Sequence, residues 1–350
     1  MGTGAAWLCG QARGLAALVV LIGLSLWSSS SHATYLARED VRLFIESMQE
    51  LGLDAAELER VLGEARHQAM VVRLIGPERP KQAQPVRSYP AYRAKFLTPA
   101  RIGAGTQFWA EHESDLRRAE IEYGVPAEVI VGILGVETVF GRNTGSFRVV
   151  DALATIAFDG PRRQEYFREE LREFFLLARD LGLDPLAIKG SYAGAMGWPQ
   201  FMPSSYRKHA VDFDGDGFID LVDSPVDAIG SIASYLSAHG WVSGEPSRIT
   251  VQLPAGSEAE LISGLQRVHT VAELKQKGVK FSSTKLPEGE CSVVELPAPG
   301  KPPKYFAGFA NFEAVTRYNR STFYATAVLE LAEAIHKARQ HQMTANTSAD

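Results

Sequence analysis

The sequence predicts an α+β protein, mainly α-helical, with one small antiparallel β domain inserted towards its C-terminal end. Three observations carry that expectation. Apolar residues recur at three- and four-residue steps over most of the chain. Strand-like alternation is confined to the region of SRITVQL and CSVVEL. An apolar helix near the middle holds a single carboxylate, Glu137.

In chain order, the first part of the sequence has the makeup of an export signal. Arg13 supplies the positive charge, LAALVVLIGLSLW the apolar core, and Ser31-His32-Ala33 a small-x-small cleavage pattern, so a signal over 1–33 and a mature start near Thr34 are expected. A retained membrane anchor is the alternative. A lipid anchor is disfavoured, because Cys9 precedes the apolar core instead of following it. Removing 1–33 takes Arg13 from the 36 basic residues and nothing from the 41 acidic ones, which leaves 35 against 41, a net charge of −6. That balance offers no long-range attraction for a polyanion and no sign of nucleic-acid binding, so a ligand must be recognised locally. Cys291 then stands alone and is expected as a buried thiol. The remaining chain of about 315 residues is long enough for one large domain or two to three smaller ones.

Val41, Phe44, Ile45, Met48 and Leu51, followed by Ala55 to Ala65, predict a helical hairpin. The prolines between Gly76 and Pro90 predict an extended connector. Helical periodicity resumes from Ala100 to Glu122. Next comes GVPAEVIVGILGVETVFGRNTG, Gly124 to Gly145, with Pro126 suited to a first helical turn and Gly141 to a left-handed end. Ile130, Ile133 and Leu134 precede Glu137 by seven, four and three residues and share its face. A carboxyl so placed should have a raised pKa, as a general acid working near neutral pH requires. A structural Glu that accepts hydrogen bonds from a neighbouring helix end is the alternative.

Asp151–Phe158 and Gln164–Leu181 predict two more helices. Between them, Arg162 and Arg163 suit either an anionic or carbonyl-rich ligand or a solvated helix start. KGSYAGAMGWPQFMPSSY, Lys189 to Tyr206, mixes glycine, aromatic and amide residues, as expected where backbone approaches a polyhydroxylated ligand or where a loop simply covers the core. DFDGDGFIDLVD, Asp212 to Asp223, has the spacing of an EF-hand-like calcium loop. Asp212, Asp214, Asp216 and Asp220 fall at positions one, three, five and nine, Gly217 at six, and the Phe218 carbonyl at seven. The usual Glu at position twelve is the shorter Asp223. Ca2+ is expected there as a structural staple and not a sensor, because a site filled by extracellular calcium reports nothing. Asp227–His239 is again helical; the β-rich insert comes after it, and helices return in FEAVTRYN and STFYATAVLELAEAIHKARQ before a disordered tail.

GVETVFGRNTG, DALATIAF with PRRQEYF, KGSYAGAMGWPQFMPSSY, the calcium loop, VDAIGSIASYLSAHGW and RYNRSTFYA together resemble the lytic transglycosylase B family of bacterial cell-wall enzymes, in order and over nearly the whole mature chain. The resemblance implies a lysozyme-like catalytic core with an added helical domain. In residue ranges it implies 34–100 as the start of the helical domain and connector, 101–245 as the core, 246–307 as the β domain, 308–340 as helices packing back, and 341–350 as tail. It implies cleavage of the bond between N-acetylmuramic acid and N-acetylglucosamine without water, giving 1,6-anhydromuramoyl ends, with Glu137 as acid and then base. Ser191, Gln200, Tyr92, Tyr235, Tyr318 and Asn319 are implied groove residues, with Arg162 and Arg163 on sugar or peptide. Peptidoglycan strands are the implied partner, other cell-wall enzymes further ones, the chain a monomer, and its place the periplasm after signal cleavage. Two competing expectations are a muramidase, with Asp151 or Asp159 as the second carboxylate it would need, and a non-catalytic peptidoglycan-binding protein.

Overall fold

The computed structural model describes residues 35–77 and 87–347; the expected signal, most of the proline-rich connector and the end of the expected tail lie outside them. The predicted hairpin is α1 (Glu39–Gln49) and α2 (Ala55–Glu64), followed by α3 (Ala69–Ile75). Their apolar stripes close on two later helices, α8 (Val149–Asp159) and α9 (Gln164–Leu181). Phe44, for example, lies between Phe158 and Phe175, with ring centroids 5.8 and 6.3 Å away. After the connector, α4 (Tyr89–Arg93) holds Pro90 in its first turn, where a missing N–H costs nothing. The helical run from Ala100 is two helices, α5 (Pro99–Glu111) and α6 (Glu113–Tyr123), parted at His112, whose backbone leaves the helical region.

The centre of the molecule is α7 (Ala127–Glu137), every residue of which is buried from Val129 to Val136. It is apolar all round, not on one face, so it needs neighbours on every side: α5, α6, α11 (Pro225–Ala238) and α15 (Thr322–Thr347) surround it. The approach of α15 depends on missing side chains. A Cβ at Gly132 would sit 2.8 Å from the Val328 carbonyl oxygen, and one at Gly135 would sit 2.9 Å from Leu331.

A two-stranded antiparallel piece, β1 (Phe147–Arg148) with β2 (Lys189–Gly190), precedes α10 (Pro203–His209). The insert expected over 246–307 is a five-stranded antiparallel sheet in the order β4-β6-β7-β3-β5, with β3 Arg248–Gln252, β4 His269–Thr270, β5 Lys280–Phe281, β6 Glu290–Ala298 and β7 Lys301–Gly308. Two short helices interrupt it, α12 (Glu258–Leu261) and α13 (Val271–Gln276). Strand alternation sorts its faces: Cys291, Val293 and Ala307 enter a small core of its own, while Val294, Leu296 and Phe306 join the main one. The insert is therefore welded to the helical body. Cys291 is a free, fully buried thiol whose pKa burial pushes up to about 11.

From the sheet the chain enters α14 (Ala310–Tyr318) and α15. Residues 341–347, expected as disordered tail, instead continue α15 to Thr347. Nothing in HQMTANT breaks a helix: it contains neither glycine nor proline. Among the described residues, no helix is long and apolar enough to cross a membrane.

Candidate active site

Glu137 is the last residue of α7, and the turn beyond it fixes its direction. Val139 and Phe140 both have positive φ, 53° and 58°, before Gly141 at 76°. A β-branched residue there is strained by roughly 1–3 kcal/mol and persists only where surroundings dictate it. Here they do. The Phe140 amide donates to the Leu134 carbonyl at 3.2 Å, and the Phe140 ring stacks on Phe108 at 5.5 Å. The buried Thr138 hydroxyl accepts from the Gly141 amide at 3.0 Å and donates to the Trp198 carbonyl at 3.0 Å. Gly141 lies against the Trp198 ring, where a Cβ would be 2.5 Å away.

Tyrosines enclose the carboxyl. The Tyr324 hydroxyl, from the first turn of α15, donates to Glu137 Oε1 at 2.5 Å. Tyr92 and Tyr318 stand close enough that the carboxylate's charge, after burial, raises their phenol pKa values. Tyr318 donates to the Pro199 carbonyl at 2.8 Å and meets Tyr235 edge-on at 4.9 Å; Tyr235 in turn donates to the Arg317 carbonyl at 2.8 Å. Burial also lifts the Tyr235 phenol to about 12. Asn319, next to Tyr318, is exposed. Loss of hydration raises the Glu137 pKa from 4.5 to about 7, against the opposing pull of the Tyr324 hydrogen bond, which favours the charged form. Among the described residues, no second carboxylate is near enough to bear on it.

The Gly-rich loop supplies the facing wall. Gly190 and Phe201 both bridge to Met196, folding the loop tightly. The Ser191 oxygen accepts the amides of Ala193 at 3.3 Å and Ala195 at 3.0 Å, which leaves its proton free to donate elsewhere. Gln200, at φ 52°, donates from Nε2 to the carbonyls of Thr144 at 2.9 Å and Gly197 at 3.0 Å, so its amide oxygen is the free end. The close backbone approach expected of these glycines is made to protein: a Cβ at Gly145 would lie 2.1 Å from the Gly190 carbonyl, and one at Gly197 2.1 Å from the Leu221 carbonyl oxygen.

Other expected residues lie apart from this cluster. Arg162 donates to the Ile75 carbonyl at 2.9 Å, tying α9's approach to the end of α3, and Arg163 stacks on Tyr166 at 4.0 Å. Asp151 forms two hydrogen bonds with Arg148, at 2.7 and 2.9 Å, and accepts the Arg66 amide at 3.0 Å. Asp159 binds Arg38, His67 at 2.9 Å and Tyr35 at 3.0 Å, and these bonds hold its carboxyl below the usual range despite burial. Both carboxylates are thus the polar clamp between the N-terminal segment and α8.

In the loop expected to hold calcium, Asp212 and Asp214 converge, and the third member of their group is Asp227, with the oxygens that could bind a metal all within 4.8 Å. Asp227 is 1% exposed; its oxygens accept the amides of Phe213 at 2.7 Å, Asp214 at 3.2 Å and Asp220 at 2.8 Å, so it holds the loop from behind. Asp216, Asp220 and Asp223 lie outside that group, as Asp216 accepts the Phe218 amide at 2.8 Å and Asp220 those of Val222 and Asp223 at 2.8 and 2.9 Å. An all-oxygen donor set on a loop turned by Gly215 and Gly217, φ 79° and 94°, fits a hard divalent cation such as Ca2+. Tyr324 and Asp227 are the two residues that spacing did not single out. The one signal for Asp227 is its place in the first turn of the helix after the loop, preceded by the Ser224 cap.

A family model described as "Transglycosylase SLT domain" matches residues 37–333. The chain is 44% identical over 302 residues to the membrane-bound lytic murein transglycosylase B of Escherichia coli (strain K12), covering 85% of this chain and 82% of that one. The soluble lytic transglycosylase SltB1 from Pseudomonas aeruginosa has a solved structure 45% identical, with a TM-score of 0.80, covering 86% of this chain and 99% of that one. The Escherichia coli lytic transglycosylase Slt35 in complex with calcium gives 42% identity and a TM-score of 0.79 over 87% of this chain and 95% of that one. A helical, lysozyme-like body with a small antiparallel sheet, a half-buried acid at the end of its central helix, and sequence identity above two-fifths over most of its length agree: this chain belongs to the transglycosylase SLT domain family.

Proposed function

We propose that the protein is an exported lytic transglycosylase that cleaves the β-1,4 bond between N-acetylmuramic acid and N-acetylglucosamine in peptidoglycan and leaves a 1,6-anhydromuramoyl end. The observation that carries this reading is the desolvated Glu137 carboxyl, whose pKa of about 7 keeps a large share protonated at neutral pH. That proton passes to the glycosidic oxygen as the C1–O4 bond breaks. The C6 hydroxyl oxygen then bonds to C1, and its proton returns to Glu137, so one carboxyl serves twice and no water is consumed. Because the nucleophile belongs to the substrate, no second carboxylate is required, and the commitment of Asp151 and Asp159 to Arg148 and Arg38 disfavours a hydrolase.

The remaining roles are positioning ones. Ser191 has a hydroxyl proton and Gln200 an amide oxygen to offer a sugar, Tyr92, Tyr235 and Tyr318 give it walls, and Asn319 stands at the rim. Arg162 and Arg163 contact sugar or peptide after leaving their present partners. The loop Asp212–Asp223 holds Ca2+ as a structural staple, with Asp212, Asp214, Asp216, Asp220, Asp223 and the Phe218 carbonyl as ligands and Asp227 as their support. The protein acts in the periplasm after its signal is removed. Mass spectrometry of soluble products released from purified peptidoglycan tests the reading. Anhydromuramoyl ends from wild type and none from Glu137→Gln are expected, whereas reducing ends would establish hydrolysis in its place.

A further inference from the structure

Where the sheet meets α4 and α15 there is a cavity of about 600 Å³. Five cations line it: Arg93, Arg248, Lys301, Lys304 and Lys337. Two carboxylates face them and both are engaged, Glu330 by Arg93 and Glu333 by Arg248 at 2.8 Å. The three lysines have no ion-pair partner among the described residues, so on a chain of net charge −5 this concave wall concentrates positive potential. Arg248 Nη1 is also shut from solvent on the same wall without a hydrogen-bond partner among the described residues, so the lining holds more donors than its own carboxylates use.

Buried rings connect one wall of the cavity to the aromatic surroundings of Glu137. Tyr89 packs edge-on against Phe323 at 5.3 Å, Phe323 meets Tyr92 at 5.6 Å, and Tyr324 is the next residue on α15. We propose that this cavity binds the carboxylates of a peptide stem carried by the glycan strand in the groove, a contact separate from Arg162 and Arg163; the proposal rests on the peptidoglycan reading given above. A lipid headgroup also offers oxyanions, but a bilayer presents a plane, and these cations line a hollow. Ammonium groups at the rim of such a hollow suit a flexible, multiply charged peptide, which point-charge contacts can follow as it moves.

The test is co-sedimentation of the full chain carrying Glu137→Gln, with and without Lys301→Ala, Lys304→Ala and Lys337→Ala, on insoluble peptidoglycan either intact or stripped of its stems by an amidase. The triple change should weaken binding to intact material about tenfold at low salt, less as salt rises, and leave binding to stripped glycan at the parent's level. A Lys→Arg triple should bind intact material as the parent does, which separates lost charge from lost structure. Equal affinity of parent and Ala triple for intact material, or equal loss on both materials, would overturn the proposal. Binding of the parent to vesicles of anionic phospholipid that the Ala triple lacks would overturn it in favour of a membrane contact. A parent that binds neither glycan refutes the peptidoglycan reading itself, and soluble product in the parent's tubes refutes only the role of Glu137.

Discussion

Replacing Glu137 by Gln should make the protein more stable at pH 8 than the wild type, by a margin that shrinks towards pH 5. The folded chain holds the Glu137 proton with a pKa of about 7, against 4.5 for the unhindered group. Linkage sets the sign: a carboxyl whose pKa is raised by folding costs stability as pH climbs through the unfolded value, and the cost is complete above the folded one. Integrated between those values, the wild type loses about 1 kcal/mol at pH 5 and about 3 kcal/mol at pH 8. Gln cannot ionise and escapes that loss, while any change in packing or in the bond from Tyr324 is the same at both pH values and cancels in the difference. For a folded unit of about 315 residues, a change of about 2.5 kcal/mol is roughly 4 °C in Tm. Thermal melts of both proteins in matched buffers, followed by circular dichroism, measure it. Melting curves that keep a constant separation from pH 5 to pH 8 would show that Glu137 ionises like an ordinary surface carboxylate, and the argument for a protonated acid at neutral pH would fail.

Tyr324→Phe removes a hydrogen bond that favours the charged carboxylate, so the Glu137 pKa should rise by roughly one pH unit, seen as a displaced limb in the pH profile of kcat/KM for muropeptide release; an unmoved profile would detach Tyr324 from the acid. Calcium at one hundred times its dissociation constant should raise the folding free energy by about 2.7 kcal/mol, and Asp214→Ala should abolish the response. Calorimetric melts with chelator and with added Ca2+ decide this, and a variant that still responds would place the ion elsewhere.

The sequence made some of this legible for definite reasons. Helices α1, α2, α8, α9 and α11 have apolar stripes at helical spacing, and Glu137 is conspicuous because its surroundings in sequence are almost wholly apolar. The loop Asp212–Asp223 stands out as a candidate calcium site because glycine and oxygen ligands of such a site must fall at fixed offsets within twelve residues. What spacing could not give is pairing across the chain. Tyr324 reaches Glu137 over 187 residues, and only the crossing of α15 on α7 makes them neighbours. Asp227 belongs by sequence to a helix, yet by its bonds to the loop before it. Likewise Asp151 and Asp159, open as catalytic candidates on sequence alone, have partners more than eighty residues away at Arg66, His67 and Arg38 that no spacing reveals.

The left-handed pair Val139–Phe140 bears on how the protein can meet a ligand that does not move. A polymer network does not diffuse into a pocket and close it; on the reading proposed above, the protein must come to the strand with Glu137 already aimed. Because the kinked turn is held by Thr138, Trp198 and Phe108, none of which waits for a ligand, the direction of Glu137 is decided during folding and each encounter with a strand begins from the same geometry. The same rigidity limits tolerance. A change at Trp198 or Phe108 would leave the Glu137 carboxyl in place chemically while letting its direction drift, which on the reading proposed above slows cutting more than it weakens binding.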